Sequence, residues 1–247
     1  MIYLLRHAER VDLSKDYKEK DAWANSIRFK TNPYDIPLSL NGISQAYINI
    51  GKILKNFSED FDFIYTSPMT RCIQSALQFQ KYIIDKFKKF PLIRIEYGLA
   101  VHLFKENEIF NMGTNIKLIG DKFIVTKMFE FVDKYLDSDK IYKRYGIKRF
   151  DTNYSSIINR DSINNEQTYT DAINSRINTI KKICLNSNKC KLTLICAHCE
   201  TCHLAHNYLN KKWLINKLAP KYGFVGGIKM GIGVGSKTSK LTFLEMI

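Results

Sequence analysis

Apolar runs of strand length recur along this chain, and stretches with the period of a helix separate them. Met1–Leu5 is the first run, and Phe61–Tyr65, Leu92–Glu96 and Leu192–Ala197 follow it. From Asn41 a helical pattern sets Ile43, Tyr47, Ile50 and Leu54 on one face. Ser67-Pro68 reads as a helix start, with Ser67 as N-cap and Pro68 at the first position, and the helix continues through Cys72, Ala76, Phe79 and Ile83. Glu166–Leu185 sets Ala172, Ile173, Ile177, Ile180 and Ile183 along one apolar side, and another helix follows Ala197 through Leu204 and Leu209. Residues 11–40 are polar and lack a period, which predicts a long loop. Gly223–Gly235 and Leu241–Ile247 predict a hairpin at one sheet edge. Strands alternating with helices imply a three-layer α/β/α sandwich around a mostly parallel sheet. No linker or internal repeat interrupts the pattern, so residues 1–247 read as a single domain, with 101–165 as an inserted, helical, cap-like region.

Composition excludes several alternatives. The 247 residues are 45% hydrophobic and 25% charged, which supports a folded core and excludes global disorder. No apolar run approaches the roughly 18 residues of a membrane span. The chain opens on an apolar stretch too short for a signal peptide, which predicts a cytoplasmic protein. In a reducing compartment its six cysteines are expected to be thiols. A net charge of +14 favours anionic partners. The lysines are scattered and no nucleic-acid-binding motif is present, so neither nucleic acid nor membrane is expected as a partner.

In a sheet of this kind ligands bind beyond the carboxyl ends of the strands. Met1–Leu5 leads directly to Arg6-His7, Leu192–Ala197 leads to His198, and Phe61–Tyr65 leads to a helix carrying Arg71. If these strands are neighbours, two arginines and two histidines converge on one cationic pocket. Arginine offers a planar fork of donors that matches phosphate oxygens. A neutral imidazole can attack phosphorus and hold the phosphoryl group covalently, splitting one displacement into two. The other cations then neutralise charge on the transferred group. This scheme calls for no metal and no cofactor.

The same residues carry a family resemblance. Leu5-Arg6-His7-Ala8-Glu9 resembles the Arg-His-Gly-Glu signature of the histidine phosphatase superfamily, whose fold is the phosphoglycerate mutase-like one. Pro37-Leu38-Ser39 with Gly42 and Gln45-Ala46 is similar to a second family segment, Leu-Thr-x-x-Gly-x-x-Gln-Ala. Ser67-Pro68 with Arg71-Cys72-Ile73-Gln74-Ser75-Ala76 resembles a third, and Leu194–His198 resembles the strand that carries the second histidine. The four fall in the family's order. The resemblance implies a metal-independent phosphomonoester hydrolase, with His7 as nucleophile and with Arg6, Arg71 and His198 on the phosphoryl group. Arg10-Val11-Asp12 is most similar to the branch of the suppressors of T-cell receptor signalling and the ecdysteroid-phosphate phosphatases, which implies a phosphate-pocket role for Arg10.

Two positions depart from the family pattern. Ala8 replaces a glycine, which a negative φ would accommodate. The family's general-acid glutamate corresponds to Val101, which cannot donate a proton. His198-Cys199-Glu200-Thr201 resembles the His-Ala-Glu-Thr arrangement of some inositol-polyphosphate phosphatases, which implies Glu200 as the acid; Glu106, Glu108 and His102 are further candidates. A site without an acid favours aryl phosphates, because a phenol with pKa about 10 leaves without help. The expected substrate is therefore an anionic phosphorylated small molecule or phosphoprotein. The alternatives are a phosphate-binding or phosphoprotein-binding pseudophosphatase and, more remotely, a phosphoglycerate mutase. Cys199-Glu200-Thr201-Cys202-His203 matches a haem-attachment string, but haem attachment demands export and no export signal is present. Cys196, Cys199 and Cys202 with His206 give no convincing zinc set, so no metal is expected.

Overall fold

The computed structural model describes residues 1–31, 33, 35–58, 60–101, 132, 149–158, 169–187, 191–209, 223–234 and 239–246. Six strands form one sheet: β1 (Ile2–Arg6), β2 (Asp60–Thr66), β3 (Leu92–Ile95), β4 (Lys191–Ala197), β5 (Gly227–Val234) and β6 (Ser239–Met246). Their order is β3-β2-β4-β1-β5-β6. The pairs β2–β3, β2–β4 and β1–β4 are parallel, while β1–β5 and β5–β6 are antiparallel. The terminal hairpin expected from the glycine-rich tail is therefore present at one edge.

Around the sheet lie α1 (Tyr17–Ala24), α2 (Ile27–Thr31), α3 (Leu40–Ile53), α4 (Thr70–Phe87), α5 (Tyr169–Asn186) and α6 (Cys199–Leu209). The alternation of side chains along β1 and β4 divides the core. Tyr3, Leu5, Leu192, Leu194 and Cys196 face a cluster with Ile50, Ile73, Ala76 and Phe79 of α3 and α4. Ile2, Leu4, Ile195 and Ala197 face the other side and pack with Ile180, Ile183, Cys202 and Ala205 of α5 and α6. Both faces of these strands are covered, which is why they read as unbroken apolar runs. The result is the three-layer sandwich expected.

Three local expectations are corrected. Residues 11–40 are not one loop: they hold a 3-10 turn at Val11–Leu13 as well as α1 and α2, whose short, weakly amphipathic stretches gave no periodic signal. The helix expected from Pro68 begins at Thr70, with Met69 as N-cap, and Ser67 makes a different bond described below. Leu40, not Asn41, opens α3, capped by Ser39, whose side chain accepts from the Gly42 amide. Most of the cap-like region 101–165 lies outside the described residues. Its longest described stretch, 149–158, returns to the sheet, where Phe150 bridges to Ile93.

Candidate active site

β1 and β4 are neighbours, with Arg6 opposite Ala197, so the residues that follow them emerge side by side. β1 continues to α3 on one face and β4 to α6 on the other. This is the switch point at which a crevice opens beyond the strand ends. β2 pairs with the other side of β4 and delivers the N-terminus of α4 to the same edge.

The His7 amide donates to the Ala197 carbonyl at 2.9 Å, which ties the first histidine to the strand that carries the second. The two imidazoles lie 5.5 Å apart, centre to centre, inclined at 67°. His7 Nδ1 is 2.7 Å from the Ala8 carbonyl oxygen. A carbonyl only accepts, so the neutral ring carries its proton on Nδ1 and keeps a lone pair on Nε2. His7 is only 4% exposed. Burial, reinforced by the charge on Arg71, holds its pKa well below the ordinary histidine value. His198, equally buried, is held low by burial, Arg71 and His7. Both rings are neutral at pH 7.

Arg71, the second residue of α4, is buried, and its Nη2 lies 3.5 Å from His198 Nδ1. Ser67 Oγ sits 2.9 Å from the other ring nitrogen. An arginine can only donate, so His198 accepts at Nδ1 and donates from Nε2 to Ser67. The motif serine thus orients the second histidine. Arg6 ends β1, its amide donating to Gly226 O at 2.9 Å, and its guanidinium carbon lies 4.4 Å from the centre of the Phe224 ring. Arg10 differs: its fork is occupied by Asp12, with bonds of 2.9 and 2.7 Å. Glu200 lies in the first turn of α6, half-buried, two residues after His198. Val101 is apolar and packs on the core beside Ala100, while Glu106, Glu108 and His102 lie outside the described residues.

The loop carrying these groups is stitched down by the other motif residues. Gln45 Oε1 accepts from the Glu9 amide, Gln74 Oε1 from the Leu38 amide, and Ser75 Oγ from the Ala8 amide while donating to Arg71 O. Gly42 is required by contact: a Cβ there would lie 2.1 Å from the Glu9 carbonyl oxygen. Ala8 is accommodated, since among the described residues the non-glycine ones with positive φ are Lys88 and Val225.

Sequence reasoning missed four buried or packed groups. Asp35, fully buried, accepts from the Thr70 amide at 2.7 Å and from its hydroxyl, and pairs with Arg28; it anchors the turn that presents Arg71. Glu96 and Arg176 brace the end of β3, and Phe224 packs against Arg6. None belongs to a spaced motif; Asp35, three residues before the Leu38-Ser39 segment, was the most findable. Among the described residues no group of histidine, cysteine or acidic side chains is arranged to hold a metal, and the described cysteines are free thiols.

Residues 2–93 match the family model of the histidine phosphatase superfamily, branch 1. Curated proteins give no match. Among solved structures, the fold is similar to ecdysone phosphate phosphatase from Bombix mori in complex with tungstate, at 17% identity over 98% of this chain and 91% of that one, with a TM-score of 0.52. YhfR from Bacillus stearothermophilus is equally similar, at 17% identity, 98% and 93% coverage and a TM-score of 0.52. A mycobacterial glucosyl-3-phosphoglycerate phosphatase in complex with VO3 is similar at 11% identity, 98% and 96% coverage and a TM-score of 0.52. These likenesses are of fold, and they do not separate one branch from another. Over residues 2–93 the chain is thus similar to the histidine phosphatase superfamily, branch 1, and its fold is similar to that of the phosphatases named above.

Proposed function

We propose that the protein is a phosphomonoester hydrolase working through a phosphohistidine on His7. The observation that carries this reading is the His7 ring itself. It is neutral, with its proton directed to Ala8 O, and lies beside Arg71 and His198 at the end of β1. Nε2 attacks phosphorus as the bond to the ester oxygen breaks, and the departing oxygen takes a proton. Water then attacks phosphorus, the P–N bond breaks, and inorganic phosphate leaves. Arg6 and Arg71 supply forked donors to the non-bridging oxygens, and His198 a further contact. Burial and, after it, the Arg71 charge hold both rings low; the incoming dianion offsets the Arg71 part, so His198 becomes a better donor when the site is loaded. Arg10 joins by exchanging Asp12 for phosphate oxygens.

Glu200 is the proposed proton donor, supported by its place in the first turn of α6, two residues after His198. Without strong acid catalysis the site favours aryl esters. The free thiols support a reducing, cytoplasmic setting, and no helix among the described residues is long and apolar enough to cross a membrane. We read residues 1–247 as one domain. Val101, apolar and packed on the core, favours a second reading in which the pocket binds phosphate without turnover.

Hydrolysis of p-nitrophenyl phosphate tests the choice. The wild type is expected to turn over and to yield an acid-labile phosphoenzyme, and His7→Ala to lose about 10³-fold or more in kcat. Wild-type turnover no higher than that of His7→Ala, with vanadate still bound, selects the binding module.

A further inference from the structure

Phe224 belongs to none of the motifs, yet its ring stands against two residues of the pocket. Its centre is 4.4 Å from the guanidinium carbon of Arg6 and 6.4 Å from the centre of the His7 ring. The backbone beneath it is fixed on several sides. The Gly226 amide donates to Gly223 O at 3.0 Å, closing a turn, and Gly226 O accepts from the Arg6 amide at 2.9 Å. Asn49 Nδ2 of α3 reaches the Phe224 carbonyl at 3.4 Å.

Val225, the next residue, has φ 61°, in the left-handed region. A β-branched side chain is strained there, and such strain persists only where the surroundings over-determine it. Val225 is buried in the α3/α4 core cluster, which supplies that constraint. The outcome of the strained turn is the placement of one aromatic ring over one arginine.

We propose that Phe224 is a positioning residue: its π face holds the Arg6 guanidinium against the pocket wall, so that the fork is already set when a phosphoryl group arrives. The inference rests on the phosphatase reading above. Arginine has a long, rotamer-rich side chain, and a guanidinium on an aromatic face loses that freedom before binding. Phe224 itself touches no reacting atom.

The test uses the full chain with p-nitrophenyl phosphate as substrate and vanadate as ligand. Phe224→Leu keeps an apolar side chain and removes the ring. It is expected to raise KM and the vanadate Kd about five- to tenfold, with kcat changed less. Phe224→Tyr restores both. Phe224→Met serves in place of Phe224→Leu if the leucine variant fails to fold. In an Arg6→Ala background Phe224→Leu is expected to cost nothing further, because the coupled pair is already broken. Unchanged vanadate affinity in a folded Phe224→Leu variant overturns the inference, as does the same loss with and without Arg6; the phosphatase reading survives both. A wild type that neither turns over nor binds vanadate overturns that reading, and this one with it.

Discussion

Two regions beyond the strand ends are built from different materials. At the β1–β4 end, polar side chains are buried with their reactive atoms directed at one another: His7 beside His198, Arg71 on the second ring, Ser67 behind it. At the β3 end, buried polar groups are consumed by the fold. The Glu96 carboxylate accepts from the Gly98 amide at 2.9 Å, Tyr154 Oη at 2.6 Å, Ser156 Oγ at 2.7 Å and the Ile157 amide at 2.7 Å. Arg176 donates to Ala100 O at 2.9 Å, and Gly98 sits so close to α5 that a Cβ would meet Thr179 Oγ1 at 2.1 Å. Val101 follows this locked turn. The contrast teaches that a buried carboxylate near a pocket is not by itself an acid: what it already accepts decides whether it has a proton to give.

The largest effect expected from this contrast is on stability. Glu96→Gln replaces an acceptor-only carboxylate with an amide that presents donors to donors. It is expected to cost about 2–3 kcal/mol in urea unfolding, as for lost hydrogen bonds to a charged group. Turnover per folded molecule should stay within about twofold, since the group serves the fold. Lost turnover at unchanged stability would break the comparison, because Glu96 would then belong to the chemistry.

The same contrast explains what the sequence made legible. The β1–β4 end was readable because its residues fall at strand ends and helix starts, positions that periodicity locates: Arg6-His7 after β1, His198 after β4, Arg71 at the start of α4. Gln45, Gln74 and Ser75 were legible as motif letters but not as stitches, because their partners are backbone amides up to 67 residues away. Glu96 and Asp35 were invisible for a related reason. Each is a lone acid in the sequence, and its role exists only once distant donors, 154–158 for one and Thr70 for the other, are folded around it. Val225 shows the limit most plainly. No local rule puts a β-branched residue at φ 61°; tertiary constraint does.

A smaller effect separates Glu200 from Val101. If the proton comes from Glu200, Glu200→Gln slows alkyl phosphate hydrolysis about tenfold and p-nitrophenyl phosphate about twofold, because only the poor leaving group needs the acid. Val101→Glu places a carboxyl at the end of the locked turn and is expected to raise alkyl hydrolysis selectively. Equal losses on both esters in Glu200→Gln would remove Glu200 from the role. A gain in Val101→Glu without any loss in Glu200→Gln would move the acid to the β3 end and sharpen the comparison there.

The smallest effect is a dependence of stability on pH, and its sign follows from the two rings. Burial and the Arg71 charge hold His7 and His198 below their ordinary value of 6.5, so both remain neutral in the folded protein. Unfolded, the same rings take up protons as the pH falls through 6.5. The unfolded state then binds more protons than the folded one, so stability is full above that value and declines toward the lower folded values. The β3 end contributes no histidine among its described residues to this slope. Urea midpoints measured between about pH 7.5 and 5.5 should therefore fall, and His7→Ala should flatten the fall because one of the pair no longer titrates on unfolding. Bound vanadate should flatten it too, since an anion beside the rings raises their folded pKa and narrows the gap. A slope untouched by either change would mean that the rings are not held neutral by the pocket, and the distinction between its two ends would lose its electrostatic basis.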